Sequence, residues 1–359
     1  MLVLWSLLAI VLSLLLVVGP HEVGHAYVAH LFRVGISRIS FGFGRPLFRW
    51  DGKKGCQWVW SLWPLGGYVH FLNTRTQVVL EKDLPYCFDK KSVGARCLIL
   101  LAGPLLNCTM AWLALVFMLI LGYQQQLPVI DTITPSSLAS SAGLVKGDRI
   151  ISLSGAPVSS WRVFGMQFIM ALGHDNVDGV VETSEGNQHH FRLDLKHPAL
   201  GKGSLFKAIG IQPDSSIKHL QAVQGLPFLK ACQGAFFQLM GLAYFFLVML
   251  KQLLTGVIPL SMLLGPLGLL NAMAHSFSQG FAVFLDFIAN LSLSVGLFNL
   301  LPIPGLDGGG IVYAVIEKIR GKPFSVAFEL LVQSLMFIAL CLLLVQLLMG
   351  DVQRYLSLS

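Results

Sequence analysis

The sequence predicts a polytopic α-helical membrane protein with four transmembrane helices, a membrane-associated β-hairpin and one inserted α+β domain. Three observations support this prediction. The chain of 359 residues is 55% hydrophobic and only 12% charged, with a mean hydropathy of +0.70, which is far from the balance of a soluble domain. Its apolar residues are concentrated in long separate runs. The more polar stretch 124–218 interrupts these runs.

Four of the apolar runs are predicted to cross the bilayer, because a span needs about 20 apolar residues. They are Leu2 to about Leu31, a run within Val93–Tyr123, Gly280–Leu301 and Val326–Met349. A further run, Phe236–Leu254, is interpreted as an interfacial helix. If it crossed, Asp307 would lie on the opposite side of the membrane from His21.

These runs divide the chain into four predicted domains. An N-terminal membrane half covers 1–123, the α+β domain 124–218, an interfacial linker region 219–279 and a C-terminal membrane half 280–359.

The positive charge of the chain fits a membrane protein better than a nucleic-acid-binding one. The formal net charge is +7, but the cations form no patch interleaved with aromatic residues. Many of them lie between Arg33 and Arg96, and segments rich in Lys and Arg face the cytoplasm. We therefore expect this segment inside the cell, residues 124–218 outside it, the lipid bilayer as a partner, and no nucleic acid.

Two segments after the first span are predicted to be the strands of the hairpin. Ile36–Arg49 and Cys56–Phe71 are rich in aromatic and β-branched residues, and the turn-forming stretch 51–55 separates them. Trp58, Trp60 and Trp63 suit a sheet at the membrane interface. A tryptophan-rich surface hairpin is the alternative.

The polar stretch contains the succession of a strand, a short helix, a turn and a strand in "ITPSSLASSAGLVKGDRIISLSG". This succession resembles the core of bacterial PDZ domains. The resemblance implies that Trp161–Leu172 is the helix beside the binding groove and that Ala208–Pro213 is a closing strand. A PDZ domain binds an extended peptide as an added strand, so peptide C-termini are expected partners.

The candidate chemistry begins at the inner end of the first span, in the sequence HEVGH. His21 and His25 are four residues apart on one helix face and can bind a single zinc ion, while Glu22 is placed to take a proton from water. The alternative is a pair of helix-end histidines satisfied by ordinary hydrogen bonds.

A third zinc ligand is expected from a remote part of the chain, because catalytic zinc has three protein ligands and one open position. Asp307 stands in "NLLPIPGLDGGG", Asn299 to Gly310, at the end of the third span. Broken helix at membrane depth requires cover by protein or a water-filled cavity. A zinc site explains both the break and the acid, and a hydrogen-bonded turn aspartate is the alternative.

These motifs together resemble the site-2 protease family of intramembrane zinc proteases, over most of the chain. HEVGH is similar to the family's HExxH, and Asn299 to Gly308 to its NxxPxPxLDG. The family's membrane-associated hairpin and second span are similar to three further stretches: "FGFG" from Phe41, "PLGGYVHF" from Pro64 and "AGPLLN" from Ala102.

The resemblance implies roles for the matched residues. His21, His25 and Asp307 would bind Zn²⁺, and Glu22 would be the general base and acid. Asn299 would hydrogen-bond the substrate backbone, with interhelical hydrogen bonding as the alternative.

A transmembrane substrate must also unwind before it can be cut, because a helix shields its own amides. An edge strand can receive the unwound segment. The candidate edge consists of Gly66, Gly67, Tyr68 and Val69, where paired glycines permit close backbone approach. A plain turn is the alternative.

The resemblance further implies a multi-pass protein of the bacterial inner membrane, with a periplasmic PDZ-like domain and an active site toward the cytoplasm. Its substrates would be single-span proteins, such as a pre-cleaved anti-sigma factor, or remnant signal peptides. The members that match best carry two tandem PDZ domains, whereas this chain has one such unit. Two alternative functions are a zinc transporter and a proteolytically silent PDZ membrane adaptor.

Overall fold

The computed structural model describes residues 2–52, 56–196, 206, 209–214 and 219–356. These residues form two compact units. The first comprises Met1–Met118, Phe228–Leu239 and Leu269–Val345, and the second comprises Leu119–Pro227, Met240–Gly268 and Gln346–Ser359.

Most of the described chain is helical, as the sequence predicts. The helices are α1 (Leu2–Leu31), α2 (Val93–Leu121), α3 (Leu138–Ser141), α4 (Trp161–Ala171), α5 (Phe228–Leu254), α6 (Pro266–Ser278), α7 (Phe281–Asn299), α8 (Asp307–Arg320) and α9 (Val326–Leu356). The strands are β1 (Ile36–Asp51), β2 (Gln57–Phe71), β3 (Tyr123–Gln126), β4 (Ile130–Ile133), β5 (Arg149–Leu153), β6 (Ala156–Pro157), β7 (Val177–Glu182), β8 (Gln188–Leu193), β9 (Ile211–Pro213) and β10 (Leu220–Val223).

Six stretches of the described chain are long and apolar enough to cross a membrane, against the four spans predicted. They are Leu4–Leu31, Val93–Leu121, Phe228–Leu254, Leu260–Ser278, Phe281–Asn299 and Val326–Arg354. The fourth stretch contains α6, whose 13 residues extend about 20 Å at 1.5 Å per residue. This length is less than the roughly 30 Å hydrocarbon core. Helix α5 has 27 residues and is long enough, so the predicted number of spans stays a prediction.

In the first unit, β1 and β2 form an antiparallel hairpin close to the predicted bounds. Register shifts bend the ribbon, so that Ile39 lies opposite both Val69 and Trp58. At the end of the ribbon, residues 67–71 of β2 pair with β1 between Ile36 and Phe41. The turn residues 53–55 and the side chain of Trp63 lie outside the described part of the chain.

In the second unit, the α+β domain has a four-stranded antiparallel sheet in the order β6-β5-β7-β8. Strand β4, helix α3 and strand β5 follow the predicted succession. Strands β3 and β10 pair with each other, which joins the beginning and the end of the insertion. Helix α4 supplies Phe164 and Phe168, both fully buried, to the core.

Two predictions about this domain lie partly outside the described residues. The predicted closing strand begins at Ala208, which the structure does not describe, and β9 covers its last three residues. The predicted domain boundary at residue 218 also falls there. The likeness to a PDZ domain stays a prediction.

The second unit also contains the end of α5, the linker after it and the end of α9. Gln252, near the end of α5, donates a hydrogen bond to the carbonyl of Ile169 in α4, at 2.7 Å. Asp351 in α9 is 2% exposed, and its carboxylate accepts bonds from the backbone N–H groups of Gly265 and Gly268, at 3.0 and 2.9 Å. The linker is therefore fixed at both of its ends.

Candidate metal centre

Three predicted ligands from two distant parts of the first unit converge on one point. The Nε2 atoms of His21 and His25 are 3.2 Å apart, and they lie 3.2 and 3.3 Å from Oδ2 of Asp307. Both imidazoles are buried, with 8% and 6% of each residue exposed. Of the described residues, these three form the one group of His, Cys, Asp or Glu side chains with metal-binding geometry.

The local sequence explains how each ligand reaches this point. His21 and His25 are separated by about one turn of α1, so their rings lie on the same helix face. Asp307 is the first residue of α8, directly after the Pro- and Gly-rich break that follows α7. Gly308 is needed there, because a Cβ atom would come 2.3 Å from the carbonyl oxygens of Leu300 and Leu301.

The donor set fits zinc in both chemistry and spacing. Two imidazole nitrogens and one carboxylate are ligands of catalytic zinc. The centre of the triangle that they form lies about 1.9 Å from each corner, near the roughly 2.0–2.2 Å of zinc–nitrogen and zinc–oxygen bonds. Oδ2 of Asp307 is buried without a well-formed hydrogen bond among the described residues. A cation at the centre would satisfy it.

The ring of His25 is held from the side opposite the other ligands. Its Nδ1 lies 2.8 Å from the backbone carbonyl oxygen of Ile99 in α2. Because a carbonyl only accepts, Nδ1 carries the proton and Nε2 presents its lone pair to the metal point. One turn further along α2, a Cβ atom on Gly103 would lie 2.3 Å from that Nε2. Sequence reasoning missed both residues as parts of the site.

Glu22 lies where the hairpin meets α1. It is 6% exposed, and its carboxylate accepts a hydrogen bond from the backbone N–H of Val69. A Cβ atom on Gly67 would lie 2.9 Å from Cγ of Glu22 and 3.0 Å from Cγ1 of Val18. The structure therefore brings two of the four predicted strand-edge residues to the predicted catalytic side chain.

The remaining predicted substrate-binding residues are Gly66, Tyr68 and Asn299. Gly66 has a backbone φ of +136°, a conformation that favours glycine, and Tyr68 pairs with Ser40 of β1. Asn299 ends α7, and its Nδ2 donates to the carbonyl of Val295 one turn earlier, at 3.0 Å. This bond lies within one helix and is not the interhelical bond considered as an alternative.

Comparison with known proteins agrees with this geometry. The family model for Peptidase family M50 matches residues 9–344, which is nearly the whole chain. The chain therefore belongs to Peptidase family M50, the site-2 protease family. It is a zinc metalloprotease, and zinc is its cofactor.

The similar proteins are nearly full-length matches at moderate identity. The "Regulator of sigma E protease" of Haemophilus influenzae is 27% identical over 90% of this chain and 93% of its own length. The "Regulator of sigma-E protease RseP" of Escherichia coli K12 is 27% identical over 90% and 92% of the two chains. A Neisseria meningitidis protein whose name describes a zinc metalloprotease is 27% identical over 89% and 92%.

Proposed function

We propose that this protein is an intramembrane zinc endopeptidase that hydrolyses peptide bonds in single-span membrane proteins or remnant signal peptides. The observation that supports this proposal best is the convergence of His21, His25 and Asp307 within 4.8 Å of one another. The two histidines belong to a helix apolar enough to span a membrane. Ionisable side chains at membrane depth are costly and mark functional sites.

In this proposal His21, His25 and Asp307 hold the zinc ion, and Glu22 moves protons. Zinc supplies one element of the chemistry: it can bring the pKa of water near 7, so that the water can attack a peptide carbonyl at neutral pH. Glu22 takes the proton from the attacking water and gives it to the leaving amine. The Val69 N–H and the backbone around Gly67 keep its carboxylate in place.

The part of β2 formed by residues 66–69 is the proposed receiver of the substrate. A transmembrane helix hides its amides in its own hydrogen bonds, so the segment to be cut must first become extended. Residues 67–69 are extended and pair with β1, and an extended peptide can bind as an added strand beside such a strand. Because Val69 also contacts Glu22, a strand added there would lie beside the catalytic carboxylate. Asn299 is proposed to bind the same extended segment.

The proposed topology has four spans, α1, α2, α7 and α9, in a bacterial inner membrane, with the active site toward the cytoplasm and the PDZ-like domain in the periplasm. Two contacts in the second unit favour it. Leu226, just before α5, bonds to Leu119 at the end of α2, and Gln252, near the end of α5, bonds to the α+β domain. Both ends of α5 are thus attached to the side from which the domain emerges, which favours an interfacial helix.

The end of α9 supports the same topology. Arg354 donates to the carbonyl of Leu263 at 2.7 Å, and residues 257 and 258 of this linker pack against the core of the α+β domain. The C-terminal end of α9 thus belongs to the unit that contains this domain. An outward-running last span, the fourth in the proposed order, gives this arrangement.

The names of two relatives specify regulation of sigma E, so we propose an anti-sigma factor already shortened by another protease as one substrate class. The α+β domain would bind peptide C-termini as a PDZ domain does. The alignment with the E. coli relative extends over 419 positions, of which this chain fills about 323. About a hundred positions thus lie opposite gaps in this chain, which fits one PDZ-like unit in place of two.

The two alternative functions have less support. A transporter would need further ligand groups along the path of the ion, and the described residues contain one group of three. An adaptor would have no use for a buried Glu22 beside the metal centre.

The decisive experiment compares Glu22→Gln and Asp307→Asn variants in the full-length protein with a tagged single-span reporter. Glu22→Gln should retain zinc and lose about 10²–10⁴-fold in cleavage rate, because it removes the proton-transferring group. Asp307→Asn should lose zinc as well as activity, and chelation should inactivate the wild type until zinc is returned. Unchanged cleavage by Glu22→Gln would refute the proposal.

A further inference from the structure

A partly buried ion pair joins α2 to α8 at a distance from the metal centre. Arg96, in the first turn of α2, is 6% exposed, and its Nη1 donates to Oε2 of Glu317 at 2.8 Å. Glu317 lies in α8, the 14-residue helix that begins with Asp307. The proposed reaction uses neither side chain.

Two turns of α2 contact both elements that carry the candidate zinc ligands. The carbonyl of Ile99 bonds to Nδ1 of His25 in α1. Cδ1 of Leu100 lies 2.9 Å from the position of a Cβ on Gly310 in α8, and Arg96 bonds to Glu317 in the same helix. The same short segment therefore determines where α1 and α8 lie relative to each other.

Besides this ion pair, the second half of α8 is supported by the buried Ala314 and by the Arg320 guanidinium, which lies 4.4 Å from the centre of the Phe324 ring. Val315 and Ile319 are 42% and 79% exposed, so one face of this half does not pack on protein. Its first turn, in contrast, is enclosed by the chain that precedes it, at Gly308 and Gly309. Rotation of α8 about its own axis would displace the carboxylate of Asp307 as well as that of Glu317, and the ion pair opposes this rotation.

We propose that Arg96 and Glu317 are positioning residues that hold α8 so that Asp307 meets His21 and His25. This inference rests on the proposed role of Asp307 as a zinc ligand. A catalytic metal site depends on outer groups that orient its ligands, and loss of such a group typically weakens metal binding tenfold to a hundredfold. The pair acts through the helix and touches neither metal nor substrate.

The chain contains a matched control in the same unit. Arg75 donates from Nη1 to Oε1 of Glu329 at 3.0 Å, which joins the segment after the hairpin to α9. This pair has the same chemistry and partial burial, but α9 carries no candidate ligand. Its removal should cost fold stability without a specific effect on zinc.

The experiment measures zinc affinity by competition with a chelator in the full-length protein. Arg96→Gln and Glu317→Gln are compared with Glu329→Gln, which leaves the bond from Nη2 of Arg75 to the carbonyl of Phe324 in place. The first two variants should bind zinc about tenfold to a hundredfold more weakly, and the control variant should match the wild type. The exchanged double variant, Arg96→Glu with Glu317→Arg, should regain part of the affinity.

Two results would overturn the inference. One is wild-type zinc affinity in folded Arg96→Gln and Glu317→Gln. The other is an equal loss in the control variant, which would indicate general destabilisation. Failure of the proposed function is separate, since it would appear as an Asp307→Asn variant that binds zinc as tightly as the wild type.

Discussion

Nδ1 of His25 and the backbone carbonyl oxygen of Ile99 lie 2.8 Å apart, so the second helix orients a candidate ligand carried by the first. The bond fixes the proton on Nδ1 and turns Nε2 toward His21 and Asp307. A backbone carbonyl does this with no requirement on the side chain at position 99. It does require α2 to approach α1 closely.

The close approach predicts that Gly103→Ala will damage the zinc site. A Cβ atom there would lie 2.3 Å from Nε2 of His25, so either the ring or α2 must move. We expect zinc affinity to fall about tenfold to a hundredfold, measured by chelator competition on the purified protein. Cleavage should fall in parallel, because the metal is lost.

Gly94→Ala is the matched control for this substitution. Gly94 also lies in α2, and no described atom is within 4 Å of the position of its Cβ. Normal zinc binding in both variants would contradict the prediction, because it would show that the contact between Gly103 and His25 relaxes at no cost.

A second prediction concerns the hairpin, which should affect the position of Glu22 and not the binding of zinc. In Gly67→Ala the new Cβ would meet Cγ of Glu22 and the carbonyl of Ser40, both at 2.9 Å. The Glu22 side chain must then shift, and small displacements of a catalytic group cost up to about a hundredfold in rate. We expect cleavage to slow about tenfold to a hundredfold while zinc content stays at the wild-type level.

Gly19→Ala in α1 provides the comparison, since no described atom lies within 4 Å of the position of its Cβ. If Gly67→Ala cleaved the reporter at the wild-type rate, the hairpin would not constrain Glu22. If it lost zinc, the hairpin would support the ligands instead of the proton-transferring group.

The sequence predicted the three candidate ligands because short-range geometry determines most of their arrangement. His21 and His25 follow from the helical repeat alone. Asp307 needed the helix-breaking residues around it as a second signal, and its approach to the histidines depends on packing between segments nearly 300 residues apart. The four-span prediction also depends on tertiary contacts. The length of α5 permits a crossing, and only its contacts favour an interfacial placement.

The parts that the sequence did not predict are contacts with no local pattern. Ile99 acts through its backbone, so its side chain carries no signal. Gly103 belongs to a motif noted only for resemblance, and its role depends on how closely two helices approach. Arg96 and Glu317 are isolated charges 221 residues apart, and only the fold brings them together. The double pairing of Ile39 likewise depends on how the ribbon bends.

A third prediction concerns the C-terminal end of α9, where Asp351 is 2% exposed and accepts from the N–H groups of Gly265 and Gly268. Asp351→Ala would leave both donors without this partner. Hydrogen bonds to a charged group contribute about 1.5–3 kcal/mol each, so we expect a clear decrease in the melting temperature of the protein. The linker between Leu254 and Pro266 should also become more sensitive to protease.

Val352→Ala is the control, because Val352 neighbours Asp351 on the same helix and is 44% exposed. Zinc affinity should be unchanged in both variants, since Asp351, Gly265 and Gly268 belong to the second unit and the candidate ligands to the first. A melting temperature equal to that of the wild type in Asp351→Ala would mean that other groups hold the linker. Loss of zinc in this variant would mean that the end of α9 supports the metal centre, which the contacts of Asp351 do not predict.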